Sequence, residues 1–376
     1  MLFNGENDPL IKQFESDGSC SEETKPLKQI NQYLFLKKIG NGAFSNVYLA
    51  IDQNTKEKYA IKKFKLSELQ HIENGVSQLE REISLMRRYS HNNILKLFEV
   101  LHNTEKDIVY LVIEYANCGS LFDLINQPIP LQDNYVCSIF HQILEALQYL
   151  HNNGMVHQDI KPSNILIKSD GRAILADFGV GHSFQSTEMV VGSPAYQAPE
   201  ALTDGDCGIQ SSSPAKEDVW SLGVTLFQTE YQQIPYDGET VFEIIRNIKS
   251  TTLQYPEGAN PEIEQVMRMM LAVDPVKRAT VDELLKSPFF MKFNGIVPCE
   301  QWEKDVDTSI NNAQIVKYNA KVCEGMTSFV RVGLTSVDLI RSIENTNVNK
   351  KKLPETENLE SVPMEKYNCF SCCILY

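Results

Sequence analysis

Several features are missing from this chain, and each absence excludes something. No run approaches the ~18 apolar residues that a bilayer-spanning helix needs. The N-terminus, MLFNGENDPL, has neither the basic-then-apolar pattern of a signal peptide nor the Met-Gly start of a myristoylated chain. Positive charge is scarce. Against 49 Asp and Glu stand 35 Lys and Arg, a formal net charge of -14. That balance makes nucleic acid or an anionic membrane surface a poor default partner. Paired cysteines are missing too. Of nine, six are scattered singly and three crowd the last eight residues. This is no disulfide framework, and it suits a reducing cytosol. What remains is the composition of an ordinary soluble globular protein. Its 376 residues leave room for one large two-lobed catalytic region or about two to three small domains.

Residues 1–32 are polar and acidic with little apolar periodicity, so they read as a mobile leader. From Tyr33, YLFLKKIG and NVYLAI are strand candidates with GNGAFS between them. Gly40 and Gly42 would let this turn lie close over phosphates with its backbone N–H groups facing the anion. The pattern is G-x-G-x-x-S, ending at Ser45, and alone it is equally a hairpin turn. Lys62 follows in Tyr59-Ala60-Ile61-Lys62 on the next strand, where alternation sends it and Lys63 to opposite faces. Leu79, Ile83 and Met86 recur at helical spacing and predict an amphipathic helix. VCSIFHQILEALQYLHNNG predicts a second, buried helix with Gly154 at its C-terminal end. The stretch from Ile165 reads as a hairpin turning at Asp170-Gly171. Just before it, His157–Asn164 reads HQDIKPSN.

The motifs G-x-G, A-I-K, Glu, H-x-D-x-x-x-x-N, D-F-G, A-P-E, D-x-W and a late Arg, in that order, resemble the eukaryotic protein kinases over residues 33–290. The resemblance implies an α+β, bilobal protein-kinase fold. Its β-rich small lobe spans 33–116 and its helical large lobe 117–290. A C-terminal extension with helical character would cover 291–344 and a flexible tail 345–376. It also implies ATP and Mg²⁺. Asp159 would accept the proton of a substrate hydroxyl, while Asn164 and Asp177 would hold Mg²⁺. Lys62 would hold the α- and β-phosphates and pair with Glu82; Glu80 on another helix face is the plain surface carboxylate. Lys161 would meet the γ-phosphate. Ile39, Gly40, Asn41, Gly42, Ala43, Phe44 and Ser45 would form the nucleotide loop. The adenine would lie between Ile39, Val47, Ala60 and Leu166, with Ile113 as the gatekeeper at the back of the pocket and the backbone of Glu114 and Ala116 on its edge. Phe178 would pack under the helix carrying Glu82. Glu200 would pair with Arg278, and Asp218 would brace the catalytic loop. An inactive kinase-fold scaffold is the alternative, disfavoured because every proton- and metal-handling residue is present.

Lys161 and GSPAY at 192–196 resemble the serine/threonine kinases. DFGVGHSF, VGSPAYQAPEAL, DVWSLGVTLF and NIKSTTLQYPE resemble the calcium/calmodulin-dependent protein kinase kinases and the liver kinase B type, within the CAMK-type group. Such kinases phosphorylate activation loops of other kinases, AMP-activated-type kinases among them. The stretch between Lys62 and Glu82 lacks the Arg-Pro-rich insert of the calmodulin-regulated members. Around SFVRVGLTSVDLIRSI apolar residues recur at partly helical spacing, but positive charges are few and Asp338 intervenes. Calmodulin is therefore not expected, and docking of this stretch on the large lobe is the leading reading. The end, CFSCCILY, fits a prenylation signal at Cys373, with Cys369 and Cys372 open to palmitoylation. The reading is a cytoplasmic protein, with a lipid on Cys373 as a membrane tether or, alternatively, a free-thiol tail.

Gln158 stands where the kinase pattern has an Arg that reads a phosphate on the activation segment through a bidentate pair. An uncharged amide cannot do this. Replacing Ser186 and Thr187 with Ala is therefore expected to leave turnover largely intact in a phosphate-transfer assay. Near-total loss would show that another basic residue reads a phosphate there.

Overall fold

The computed structural model describes residues 26–42, 44–72, 75–128, 130–177, 194–202, 214–256, 258–304, 314–323 and 373–374. The amino-terminal part is a sheet of β1 (Leu27–Ile30), β2 (Tyr33–Gly42), β3 (Ser45–Asp52), β4 (Lys58–Lys65), β5 (Leu97–Asn103) and β6 (Ile108–Glu114). Two helices, α1 (Leu66–Leu69) and α2 (Gly75–Arg88), lie between β4 and β5. Strand period two sorts the side chains onto two faces. Val47, Leu49, Ala60, Val109, Leu111 and Ile113 join the core that includes Leu79, Ile83 and Met86 of α2. Their neighbours Ala50, Ile61, Ile108, Tyr110 and Val112 build a second core with Ile30, Tyr33 and Phe35 on the opposite face. Strand β6 is accordingly buried on both faces.

The carboxyl-terminal extension returns to the small lobe and adds Tyr318 and Ala320 to this second core. β10 (Ile315–Tyr318) pairs in parallel with β1, and β11 (Lys321–Val322) pairs antiparallel with β5. The strand order β10-β1-β2-β3-β4-β6-β5-β11 thus begins and ends on one segment, with Asn319 and Ala320 joining its two strands. Asn31 clamps this junction: its Nδ2 donates to the Ala320 carbonyl at 3.0 Å, and the Ala320 N–H donates to its Oδ1 at 2.9 Å. Asn103 donates to the Asn319 carbonyl at 3.1 Å. Across the seam the Tyr33 hydroxyl donates to Glu99 at 3.1 Å.

One expectation needs correction. The leader is expected to run to residue 32, yet Leu27–Ile30 form a strand, because the β2 edge offers unpaired backbone groups that a preceding segment can satisfy. In the extension the described residues form the single turn Glu300–Trp302 and strands β10 and β11. The stretch 328–343, on which the helical expectation rests, lies outside the described residues. A two-residue strand, β12 (Cys373–Ile374), pairs through its backbone with Asn41 and Gly42.

The large lobe is built on α4 (Asp133–Asn152) and α6 (Pro214–Tyr231), both heavily buried. Helix α3 (Leu121–Ile125) precedes them; α5 (Pro199–Leu202), α7 (Val241–Ser250), α8 (Pro261–Met270) and α9 (Val281–Leu285) complete the helical part. A small sheet of β7 (Gly119–Ser120), β8 (Ile165–Ile167) and β9 (Ala173–Leu175) sits under the cleft. The β8–β9 turn needs Gly171: its φ is +86°, and a Cβ there would run into the Val297 carbonyl of the extension. Fully buried Arg278 meets Glu200 in a two-pronged pair at 2.6 and 3.0 Å and lies over the Trp220 ring. This pair ties α5 to the loop before α9.

Lys28 lies in the second core. Its Nζ donates to the Tyr110 hydroxyl at 2.7 Å and faces the rings of Phe35, Tyr110 and Tyr318. Burial, with Lys63 and Lys106 repelling it, pushes this ammonium down to about 8. The folded state then binds fewer protons than the unfolded state above pH 8, so this residue's contribution to stability rises with pH there. Lys28→Met removes that contribution. Between pH 7.5 and 9.5 its melting temperature should fall relative to that of the unaltered protein. A gap between the two that stays constant with pH would refute the assignment.

Candidate active site

The cleft between the lobes gathers charged side chains from four elements. Lys62 comes from β4, where it is paired in register with Val47 of β3 and Leu111 of β6. Glu82 sits on the inner face of α2 with Leu79, Ile83 and Met86, because 3.6-residue spacing puts these together. Lys62 Nζ lies 2.9 Å from Glu82 Oε1 and 3.0 Å from Asp177 Oδ1. All three groups are nearly buried. Burial pushes the Glu82 carboxyl up, Lys62 pulls it back down, and Asp177 adds to the rise. Glu80, on another face of α2, is only partly buried.

Asp159 is the second centre. Lys161 Nζ lies 3.0 Å from its Oδ2, and Asn164 Nδ2 donates to the same oxygen at 2.6 Å and to the Asp159 carbonyl at 2.8 Å. The loop carrying them is fixed from below by Asp218, which is fully buried on α6. Its carboxylate accepts the His157 N–H at 2.9 Å and the Gln158 N–H at 2.7 Å, and His151 Nε2 lies 2.8 Å away. Gln158 has a φ of +68°, a left-handed conformation that side chains beyond Gly, Asn and Asp seldom adopt. Two hydrogen bonds lace this loop to the segment that ends at Asp177: Ala176 N–H to the Asn164 carbonyl at 2.8 Å, and His157 Nε2 to the Ala176 carbonyl at 3.0 Å.

Above these groups, the loop expected to hold the nucleotide is the end of the β2–β3 hairpin. Gly40 pairs with Val47 and Asn41 with Asn46, and Lys38 donates to Asn41 Oδ1 at 2.7 Å. Gly42 closes β2, Phe44 is half-buried, and Ser45 is buried opposite Phe64. Val47, Ala60, Ile113, Ala116 and Leu166 lie in one apolar cluster, with Ile39 packed against it. The Glu114 N–H is taken by the Lys96 carbonyl at 3.0 Å and is therefore not available to a ligand edge. Ala43, Phe178, Ser186 and Thr187 lie outside the described residues.

Sequence reasoning missed three contacts. The Glu114 side chain turns to the large lobe and pairs with Lys168 at 3.0 Å and with Arg172. His151 reaches Asp218 from α4. Arg87 reaches the extension, donating from Nη2 to the Cys323 carbonyl. The nearby 62–82 pairing follows from motif order, but nothing local marks partners that lie 54 to 236 positions apart.

A divalent cation fits the arrangement. Among the described residues, Asn164 Oδ1 and Asp177 Oδ2 are buried acceptors with no protein partner. Buried oxygens without donors are costly unless something not present in the protein alone satisfies them. Two protein oxygens suit a hard cation whose remaining positions are filled by phosphate oxygens and water. Lys62 and Lys161 would then neutralise phosphate charge, and the three carboxylates would be offset by two ammonium groups and the cation.

Comparison with known proteins agrees with this geometry. Residues 33–290 match the protein kinase domain family. Serine/threonine-protein kinase STK11 of Homo sapiens is 32% identical over 279 residues, covering 71% of this chain and 63% of its own length. Serine/threonine-protein kinase ppk34 of Schizosaccharomyces pombe is 31% identical over 315 residues, covering 73% and 87%. Serine/threonine-protein kinase SIK1 of Mus musculus is 30% identical over 345 residues, covering 90% and 42%. The chain thus spans about three fifths of the length of the STK11 proteins it matches.

The two orphaned oxygens make a sharp expectation. Asp177→Asn should weaken nucleotide-dependent Mn²⁺ binding at least about tenfold, read by electron paramagnetic resonance, since one carboxylate charge is lost from a two-ligand site. Unchanged Mn²⁺ affinity would place the cation elsewhere. The match over 33–290, the ordered motifs and the cleft geometry agree: the chain belongs to the protein kinase family.

Proposed function

We propose that this chain is a serine/threonine protein kinase that transfers the γ-phosphate of ATP with Mg²⁺, and that it acts upstream on the activation loops of other kinases. The observation that carries the transfer is the placement of Asp159. Its carboxylate is buried, fixed by Asn164 and faced by Lys161. Asp159 would orient a Ser or Thr hydroxyl and take its proton as the oxygen attacks, a contribution of roughly 10²–10⁴ in rate. Lys161 would stabilise charge on the transferred group, and Lys62, aligned by Glu82, would hold the α- and β-phosphates. Asn164 and Asp177 would hold Mg²⁺, which when bound supplies charge neutralisation at the phosphates. Leu166, Val47 and Ala60 would enclose the adenine. An inactive scaffold would be expected to lack one of these groups.

The upstream role rests on the resemblance of VGSPAYQAPEAL, DVWSLGVTLF and NIKSTTLQYPE to kinases that phosphorylate other kinases. The turn Pro194–Tyr196 within the first stretch is held to α6: Ser221 Oγ donates to the Tyr196 carbonyl at 2.8 Å, and the Tyr196 hydroxyl bonds Gln228. Such a fixed platform suits docking of an extended substrate segment. The test offers the chain two acceptors, a catalytically dead AMP-activated-type kinase and a general protein substrate, with Asp159→Ala as control. Transfer confined to the activation-loop threonine, and lost in the control, is the expected result. Transfer to the general substrate alone would keep the kinase and remove the upstream role. No transfer from folded, ATP-binding protein would overturn both.

A further inference from the structure

We propose that the segment Ile315–Cys323 is a brace in cis for helix α2, and that Arg87 is the positioning residue through which it keeps Glu82 against Lys62. The inference deepens the kinase reading and rests on it for its catalytic consequence. Its geometric basis is independent. Arg87 occupies the last turn of α2 and donates to the Cys323 carbonyl. Cys323 in turn donates its N–H to the Val100 carbonyl of β5 at 2.9 Å. The Cys323 side chain is buried in the same core as Leu79, Ile83 and Met86, the inner face of α2. The end of the helix is therefore held by the carboxyl-terminal extension, one residue past β11.

That segment is itself anchored. Asn31 and Asn103 hold its Asn319–Ala320 junction by hydrogen bonds from the ends of β1 and β5. Upstream, the extension is pinned where the lobes join: Lys304 N–H donates to the Asn117 carbonyl at 2.9 Å, and Asn117 Nδ2 donates to Glu303 at 2.7 Å. The Lys304 ammonium also meets Asp123 of the large lobe at 3.3 Å. One piece of chain thus touches the large lobe, the hinge and α2.

Glu82 precedes Arg87 by five residues, about 7.5 Å along a rigid helix. A displacement that carries the last turn of α2 away from the sheet breaks the Arg87–Cys323 bond as it separates Glu82 from Lys62. The bond is charge-assisted, the stronger kind, and its loss is of a size that shifts a two-state equilibrium by about tenfold or more. In many kinases a phosphate performs this kind of service from the activation segment. Here Gln158 cannot read one, and the brace offers a constitutive substitute.

The test uses the full chain with Arg87→Ala, Arg87→Lys and Arg88→Ala, the last removing the same charge from the same helical turn without touching Cys323. Steady-state kinetics give kcat and the KM for ATP, and hydrogen exchange reads the amides of 75–88. Arg87→Ala should lower kcat/KM for ATP about tenfold and speed exchange in α2 by a similar factor, with α4 unchanged. Arg87→Lys should restore part of both, and Arg88→Ala should match the unaltered protein. Equal behaviour of Arg87→Ala and Arg88→Ala overturns the proposal. Ala320→Pro removes the N–H that Asn31 accepts and approaches the brace from its other side. Intact protection of α2 after 315–323 has lost its own protection would also overturn it. Exchange is read without turnover, so a chain that transfers no phosphate would sink the kinase reading while the brace is still decided.

Discussion

The cleft depends on one buried ammonium group. Lys62 is held between Glu82 and Asp177, and the three side chains arrive from a strand, a helix and the end of a large-lobe hairpin. Removing one partner from a buried pair is strongly destabilising, by about 3–5 kcal/mol, because a charge is left without compensation. The cost couples the elements: β4, α2 and the segment after β9 cannot drift apart independently without stranding a charge. The same three groups are those a phosphate ligand would need to find in place, so the constraint that shapes the cleft also prepares it for a triphosphate.

Two further buried charges serve the same end in the large lobe. Asp218 gathers the backbone of His157 and Gln158, and Arg278 gathers Glu200. Neither reaches the cleft. They act by fixing backbone, and the left-handed turn at Gln158 shows that this fixation carries strain: Asp218 accepts the N–H on both sides of the His157–Gln158 junction and keeps the loop in a conformation Gln would otherwise avoid. Asp159 follows directly, so the strained turn sits beside the carboxylate that we propose takes the substrate proton.

Much of the site is legible in the sequence because its motifs are local. H-x-D-x-x-x-x-N places three functional groups within eight residues on one loop, and helical spacing alone assembles the inner face of α2. The choice of Glu82 over Glu80 needed the motif register, since both lie on one helix. Less legible was everything that depends on partners far along the chain. The run Ile108–Ile113 is continuously apolar, and such runs mark strands covered on both faces. Part of its second cover, however, comes from Tyr318 and Ala320, where IVKYNA carries no turn or capping signal that ties it to β1, 288 positions earlier. Register is set there by the open edges of β1 and β5, and edges are a property of the folded sheet. The Glu114 side chain pairs with Lys168 and Arg172, whose positions depend on the β8–β9 hairpin and carry no local signal near residue 114.

Closure of the small-lobe sheet also limits how this kinase can be approached. An open sheet presents rows of unpaired N–H and C=O groups, and partners commonly dock by adding a strand. Here the edges of β1 and β5 are already occupied by the chain itself, leaving the outer sides of strands only four and two residues long. The lower face of the sheet is filled by α2, and the upper face is filled by a second core around Tyr110. A protein that acts on α2 therefore has to bind the outer surface of the helix or displace the extension. Displacement would expose Tyr33, Phe35 and Tyr110 to water and release Arg87 from Cys323 in the same event. Control of this lobe from outside is thereby linked to the state of its own carboxyl-terminal segment.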